Sequence, residues 1–275
     1  MDEMKKYTEK DGLVEHSLSN KELFGLPYCI LPLCHTVEAE ALGAKVKFSD
    51  DGMEPRIREF VFSEIEQLRE MQEFDFEKGR ISQVLAACLE LHKKGEHIIL
   101  EVSGPLTILN GLLDIQFVLK AMRKKPELMI EIFNWLGVQL INYMSEAKKC
   151  GVEMISYADP IGAIDILGSK TALWLVEEFT LPFLKKVEEL SDEHTLIVLC
   201  PKITNMLVKF NVAALKEVTV SDNLDYGQGC IEMIGKAKII GTRCIKASKS
   251  KLHSPKMKEI VVFDTEQPPL PKEFI

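Results

Sequence analysis

Apolar residues follow two rhythms along this chain. Short runs with strand character, Tyr28–Leu33, Ala44–Phe48, His97–Val102, Val152–Tyr157, Thr195–Leu199, Lys216–Val220, Ala237–Ile240 and Glu259–Phe263, alternate with longer stretches of helical spacing. Ile57, Phe60, Val61, Ile65 and Leu68 form one such stretch, and Leu128, Ile132, Phe133, Leu136, Leu140 and Tyr143 another. End signals agree with the spacing. Ser82 is placed to cap a helix that runs to Lys94 and stops at Gly95, and Pro126 occupies the first turn of a helix that ends near Gly151. The segment Thr36–Leu42 reads as a short helix.

Strand and helix in alternation imply a mainly parallel sheet, either closed into a barrel or open and doubly wound. Eight candidate strands in 275 residues favour a (β/α)8 TIM-type barrel, trimmed at the N-terminus and in its last units. The expected organisation is a single domain over residues 1–275, with residues 1–26 as an N-terminal extension and Thr265–Ile275 as an irregular tail.

A hydrophobic content of 46% is ample for a full core. The net charge of −8, without a cluster of Lys and Arg interleaved with aromatics, argues against nucleic acid as a partner. No apolar run reaches the length of a membrane span, and the charged start Met1–Lys6 lacks the apolar stretch of a signal peptide, so a cytoplasmic protein is predicted. Seven cysteines in such a chain read as free thiols or metal ligands.

Two of those cysteines stand just past strand-like runs, Cys200 after Leu196–Leu199 and Cys244 after Lys238–Gly241. In a strand-helix protein that position is the face that carries the chemistry. They are therefore either thiolate metal ligands or small buried residues of the barrel interior.

The block Thr36-Val37-Glu38-Ala39-Glu40-Ala41-Leu42-Gly43-Ala44, with Ser103-Gly104-Pro105-Leu106-Thr107, Ala158-Asp159-Pro160 and Phe179–Lys185, resembles the uroporphyrinogen decarboxylase superfamily. Within it the chain is most similar to the methylcobamide:coenzyme M methyltransferase branch, from about Pro27 to about Ile245. The resemblance implies a barrel with a funnel at the C-terminal ends of its strands. In that branch the funnel receives a methylated corrinoid carried by a partner protein and holds a zinc that activates a thiol acceptor. The expected cofactors are thus zinc and a corrinoid. The expected partners are a corrinoid protein and a small-molecule methyl acceptor, with a homodimer left open.

The branch motif is His-x-Cys at one strand end and a distant Cys at another. Cys200 matches the first cysteine, but Val198 stands at the histidine position, and the 44 residues from Cys200 to Cys244 are fewer than the branch has. A catalytic zinc takes three protein ligands and one exchangeable group. Asp222 is the first candidate for the third ligand, with His35, Cys34 and Asp159 as others.

Asp159 and Glu38 are the candidate acid/base groups, although Asp159 can equally initiate a turn before Pro160 and Glu40 can simply favour a helix start. His35, Ser103, Gly104 and Tyr157 are candidates for lining the cofactor site, with Asn110 behind them; Gly104-Pro105 also reads as plain turn chemistry. The stretch Lys246–Lys258, with five lysines, is either a solvated surface or a dock for an acidic partner. Decarboxylation of a porphyrinogen is the rival chemistry, but the arginine-rich N-terminal segment that serves it in the family is missing. A second rival is a non-catalytic corrinoid-handling barrel that has lost its metal, which Val198 favours.

Overall fold

The computed structural model describes residues 4–48 and 53–263. Nine strands form: β1 (Cys29–Leu31), β2 (Lys45–Lys47), β3 (Arg56–Glu59), β4 (Ile98–Ser103), β5 (Met154–Ala158), β6 (Leu196–Leu199), β7 (Ala213–Thr219), β8 (Ile239–Ile240) and β9 (Lys256–Val262). Seven of them make one sheet in the order β1-β4-β5-β6-β8-β9-β7. The first five are parallel, and helices connect them, so their C-terminal ends share one face.

Side chains alternate between two cores, as the pleat requires. Ile98, Leu100 and Val102 of β4, Ile155 and Tyr157 of β5, and Ile197 and Leu199 of β6 pack under the outer helices. Ile30, Ile99, Met154, Leu196, Val198 and Ile240 point to the opposite, inner face. Both faces are mainly apolar, which is why these strands read as apolar runs, broken only by Glu101 and Ser103 in β4 and Ser156 in β5. Tyr226, Cys230 and Met233, in and just after the helix Tyr226–Glu232, cover the inner face together with Met257 of β9.

This is the expected α/β barrel architecture, with three of the eight predicted strands used differently; the last of them, Glu259–Phe263, falls in β9, which is antiparallel to both β8 and β7. The run Ala44–Phe48 stays outside the large sheet and pairs antiparallel with β3 as a separate hairpin. Its side chains are exposed or half-buried, so no inner face holds it. The run Lys216–Val220 contributes to β7, which pairs antiparallel with β9 at the sheet edge and leaves β6 directly beside β8. Among the described residues the ladder is therefore not closed between β7 and β1.

Two local expectations also change. The stretch from Ile57 to Leu68 is no α-helix: it holds β3, bends and the 3-10 turn Ile65–Glu70, where Glu64 and Gln67 form a capping box. Ser82 lies inside the helix Gly79–Lys93 and donates to the Gly79 carbonyl at 2.8 Å instead of capping it. The N-terminal extension is folded: the helix Lys10–Phe24 buries Leu13 and Val14, and its Ser17 hydroxyl donates to the Ile30 carbonyl at 2.9 Å. The helix Pro126–Lys149 forms as its proline and periodicity predict. The tail Thr265–Ile275 lies outside the described residues.

Candidate active site at the strand ends

The five parallel strands deliver His35, Ser103, Asp159, Cys200 and Thr242 to one end of the sheet. Two glycines let the backbone turn there. A Cβ on Gly104 would lie 2.4 Å from that of Asp159, so the close approach at this glycine is made by a neighbouring side chain. Gly241, at φ +151°, sits where a Cβ would meet the Leu199 carbonyl oxygen at 2.3 Å, and its own carbonyl accepts from Thr204 Oγ1 at 2.8 Å.

Asp159 is buried and fully engaged. Its Oδ2 accepts from the Leu106 N–H at 3.1 Å, and its Oδ1 accepts from the Thr107 N–H at 2.8 Å and the Thr107 hydroxyl at 2.7 Å. Those donors belong to the first turn of the helix Pro105–Leu112, so the carboxylate caps that helix from the neighbouring strand. Burial pushes its carboxyl up to about 6, against the opposing pull of these hydrogen bonds.

Glu38 lies in the short helix Val37–Ala41 and is 1% exposed. Its Oε1 accepts from the Ser103 N–H at 2.7 Å, while Oε2 is buried without a partner among the described residues. Burial raises this carboxyl, and the bond from Ser103 and the field of His35 oppose the rise. Ser103 is thus tied to Glu38 through its backbone. His35 is half-buried and, with Thr36, Glu54, Arg56, Thr107 and Asn110, lines a cleft of about 700 Å³ beside these groups.

Arg80, at the start of the helix Gly79–Lys93, went unnoticed in the sequence because a lone arginine at a helix start looks like surface. It is buried, pairs with Glu40, and donates to Thr36 Oγ1 at 2.6 Å and Cys34 Sγ at 3.2 Å. Glu40 therefore answers a buried cation, beyond any effect on its helix start. Cys34 is enclosed by the same arginine and does not reach the funnel as a ligand.

Tyr157 is a correction. Its register places it on the helix side of β5, where its ring lies 5.1 Å from that of Phe183, so it is core and not cofactor lining. Ser156, one residue earlier, points inward instead.

Cys200 is half-buried at the end of β6, and burial pushes its thiol up, with Cys244 nearby adding to the rise. Cys244 is exposed just before the 3-10 turn Ile245–Ala247. Asp222 is exposed in the turn after β7. Among the described residues no three Cys, His, Asp or Glu side chains gather as a metal set. Val198, fully buried, fills the inner row where a third ligand would stand. The donors present do not fit a three-ligand zinc, and Asp222 does not complete one.

No helix among the described residues is long and apolar enough to cross a membrane. In sequence the chain is similar to the methylcobamide:CoM methyltransferase MtaA of Methanosarcina barkeri, 22% identical over 239 residues, which cover 86% of this chain and 69% of that protein. It is also similar to the methylcobamide:CoM methyltransferase MtbA of Methanosarcina acetivorans, 23% identical over 235 residues, 82% of this chain and 65% of that protein. In structure it is similar to a methyltransferase from Methanosarcina mazei, with a TM-score of 0.61 and 21% identity over 73% of this chain. The chain spans 61% of that solved structure, and the likeness establishes the TIM-barrel class of the fold. The uroporphyrinogen decarboxylase (URO-D) family matches residues 2–223, and the chain belongs to that family.

Proposed function

We propose that this chain is a corrinoid-dependent methyltransferase that moves a methyl group from a methylated corrinoid, carried by a partner protein, to a thiol. The observation that carries this reading is the similarity to methylcobamide:CoM methyltransferases along four-fifths or more of the chain. The site is compatible with it, since the strand ends bring a buried polar cluster, a half-buried thiol and a cleft beside His35 to one face. The Lys246–Lys258 stretch follows β8 with five lysines, of which Lys251 pairs with Asp225 and Lys256 with Glu217, and the others are positive charge for an acidic partner surface.

When bound, the corrinoid supplies the activated methyl group; the chain's own residues supply orientation, exclusion of water and control of the acceptor's proton. Val198 and the incomplete donor set favour one other reading, a barrel that holds the corrinoid without reacting. Incubation with methylcobalamin and an alkyl thiol separates the two. The enzyme reading expects loss of the methyl-cobalt absorbance and formation of the methyl thioether; corrinoid binding without turnover supports the handling module instead.

A further inference from the structure

The inner face of β4 carries a carboxylate that the strand pattern concealed. Glu101 pairs in register with Ser156 of β5, which pairs with Val198 of β6, which pairs with Ile240 of β8. The row beneath is apolar, made of Ile99, Met154 and Leu196, and forms a floor. Ser103 stands one inward position closer to the end of β4. Glu101 and Ser156 are each 7% exposed, so their row is deep but not sealed from the funnel.

Its setting differs from those of the other two carboxylates. Asp159 and Glu38 each accept backbone N–H groups, whereas no side-chain hydrogen bond ties Glu101 among the described residues, and its oxygens are not among the buried atoms left without a partner, so the carboxylate keeps access to solvent. The charged and titratable groups that face it are Lys246 and His35, which favour its ionised form, Glu54, which opposes it, and the Tyr28 hydroxyl on the inner face. Burial outweighs the two cations and raises the carboxyl. A carboxylate raised by burial, pointing inward from a strand and still reachable from the strand ends, is placed to meet a ligand rather than to hold the fold.

We propose that Glu101 is a catalytic residue, the proton acceptor for the acceptor thiol. The inference rests on the methyl-transfer reading above. An alkyl thiol is a poor nucleophile until its proton leaves, and among the described residues no three-ligand metal set stands ready to remove it. In the step, the S–H bond breaks and its proton passes to the Glu101 carboxylate. The freed sulfur pair forms the S–CH3 bond. The Co–C bond breaks with its electron pair kept on cobalt, which goes from Co(III) to Co(I), and the protonated Glu101 then returns its proton to water.

The test compares two thiols with methylcobalamin as donor: 2-mercaptoethanol, protonated at neutral pH, and thiophenol, largely ionised. Glu101→Gln should slow transfer to 2-mercaptoethanol by about 100-fold or more, the usual scale of general-base catalysis, and leave thiophenol little changed. Glu101→Ala should regain rate with 2-mercaptoethanol as formate is added. An equal loss with both thiols, no loss with either, or a folded Glu101→Ala variant that formate does not rescue would overturn the assignment. Wild-type protein that methylates neither thiol would overturn the methyl-transfer reading itself, and the role of Glu101 with it.

Discussion

The two sides of the funnel are built by different means. On the side of β1, β4 and β5, polar groups are sealed and cross-tied: Glu38 holds the Ser103 backbone, Asp159 caps the helix after β4, and Arg80 gathers Glu40, Thr36 and Cys34. On the side of β6 and β8, Cys200 is half-buried, Cys244 is exposed, and among the described residues no third donor joins them. The first side resembles a scaffold whose charges are spent on holding the strand ends in place. The second leaves its chemistry unpaired and open, and the loosely held cysteines are not the better catalytic candidates for being exposed. Glu101, on β4 and so on the first side, points inward without the bonds that fix its neighbours.

Arg80→Met should break the scaffold side most severely. It removes a buried guanidinium and leaves Glu40, Thr36 and Cys34 without their common donor, a loss of about 3 kcal/mol in chemical denaturation. A loss no larger than that of an exposed lysine would mean that the cluster contributes little.

Asp159 gives a sharper reading through pH. Its carboxyl is raised from 3.8 to about 6 in the folded chain, so the folded state keeps a proton that the unfolded state has already released between those values. Its contribution to stability is complete below the unfolded value and is lost as pH rises through about 6, a change on the order of 3 kcal/mol. Urea denaturation across this range should show wild-type stability falling relative to Asp159→Asn as pH increases. Parallel pH profiles for the two proteins would place this carboxyl at its ordinary value.

The smallest effect belongs to the open side. Cys200→Ala should change stability by about 1 kcal/mol or less, and it should lower methyl transfer far less than Glu101→Gln does. Metal analysis should find the same zinc content in Cys200→Ala as in wild type. A stoichiometric zinc lost in the variant would reverse the contrast between the two sides.

The apolar runs and the helix signals at Pro126 made most of the central sheet legible, because strands covered on both faces carry continuous apolar stretches. Ala44–Phe48 has a comparable local pattern but pairs with Arg56–Glu59, a partner that no short-range signal names. Tyr157 and Ser156 are adjacent in sequence and point to opposite faces; the pleat alternates them, and only the neighbouring strands say which face is the funnel.

By itself, the sequence determined the class of fold, most of the parallel strands, Asp159 and Cys200 just past their ends and Glu38 in the short helix after the first, since these follow from periodicity and from motifs local in the chain. Tertiary structure decided what those residues do. Hydrogen-bond satisfaction, burial and register depend on groups far apart in sequence, from the 44 residues between Arg80 and Thr36 to the 53 between Asp159 and Leu106. That is why Asp159 became a cap, Asp222 a surface residue, and Glu101, hidden in an apolar strand, an inward-pointing carboxylate.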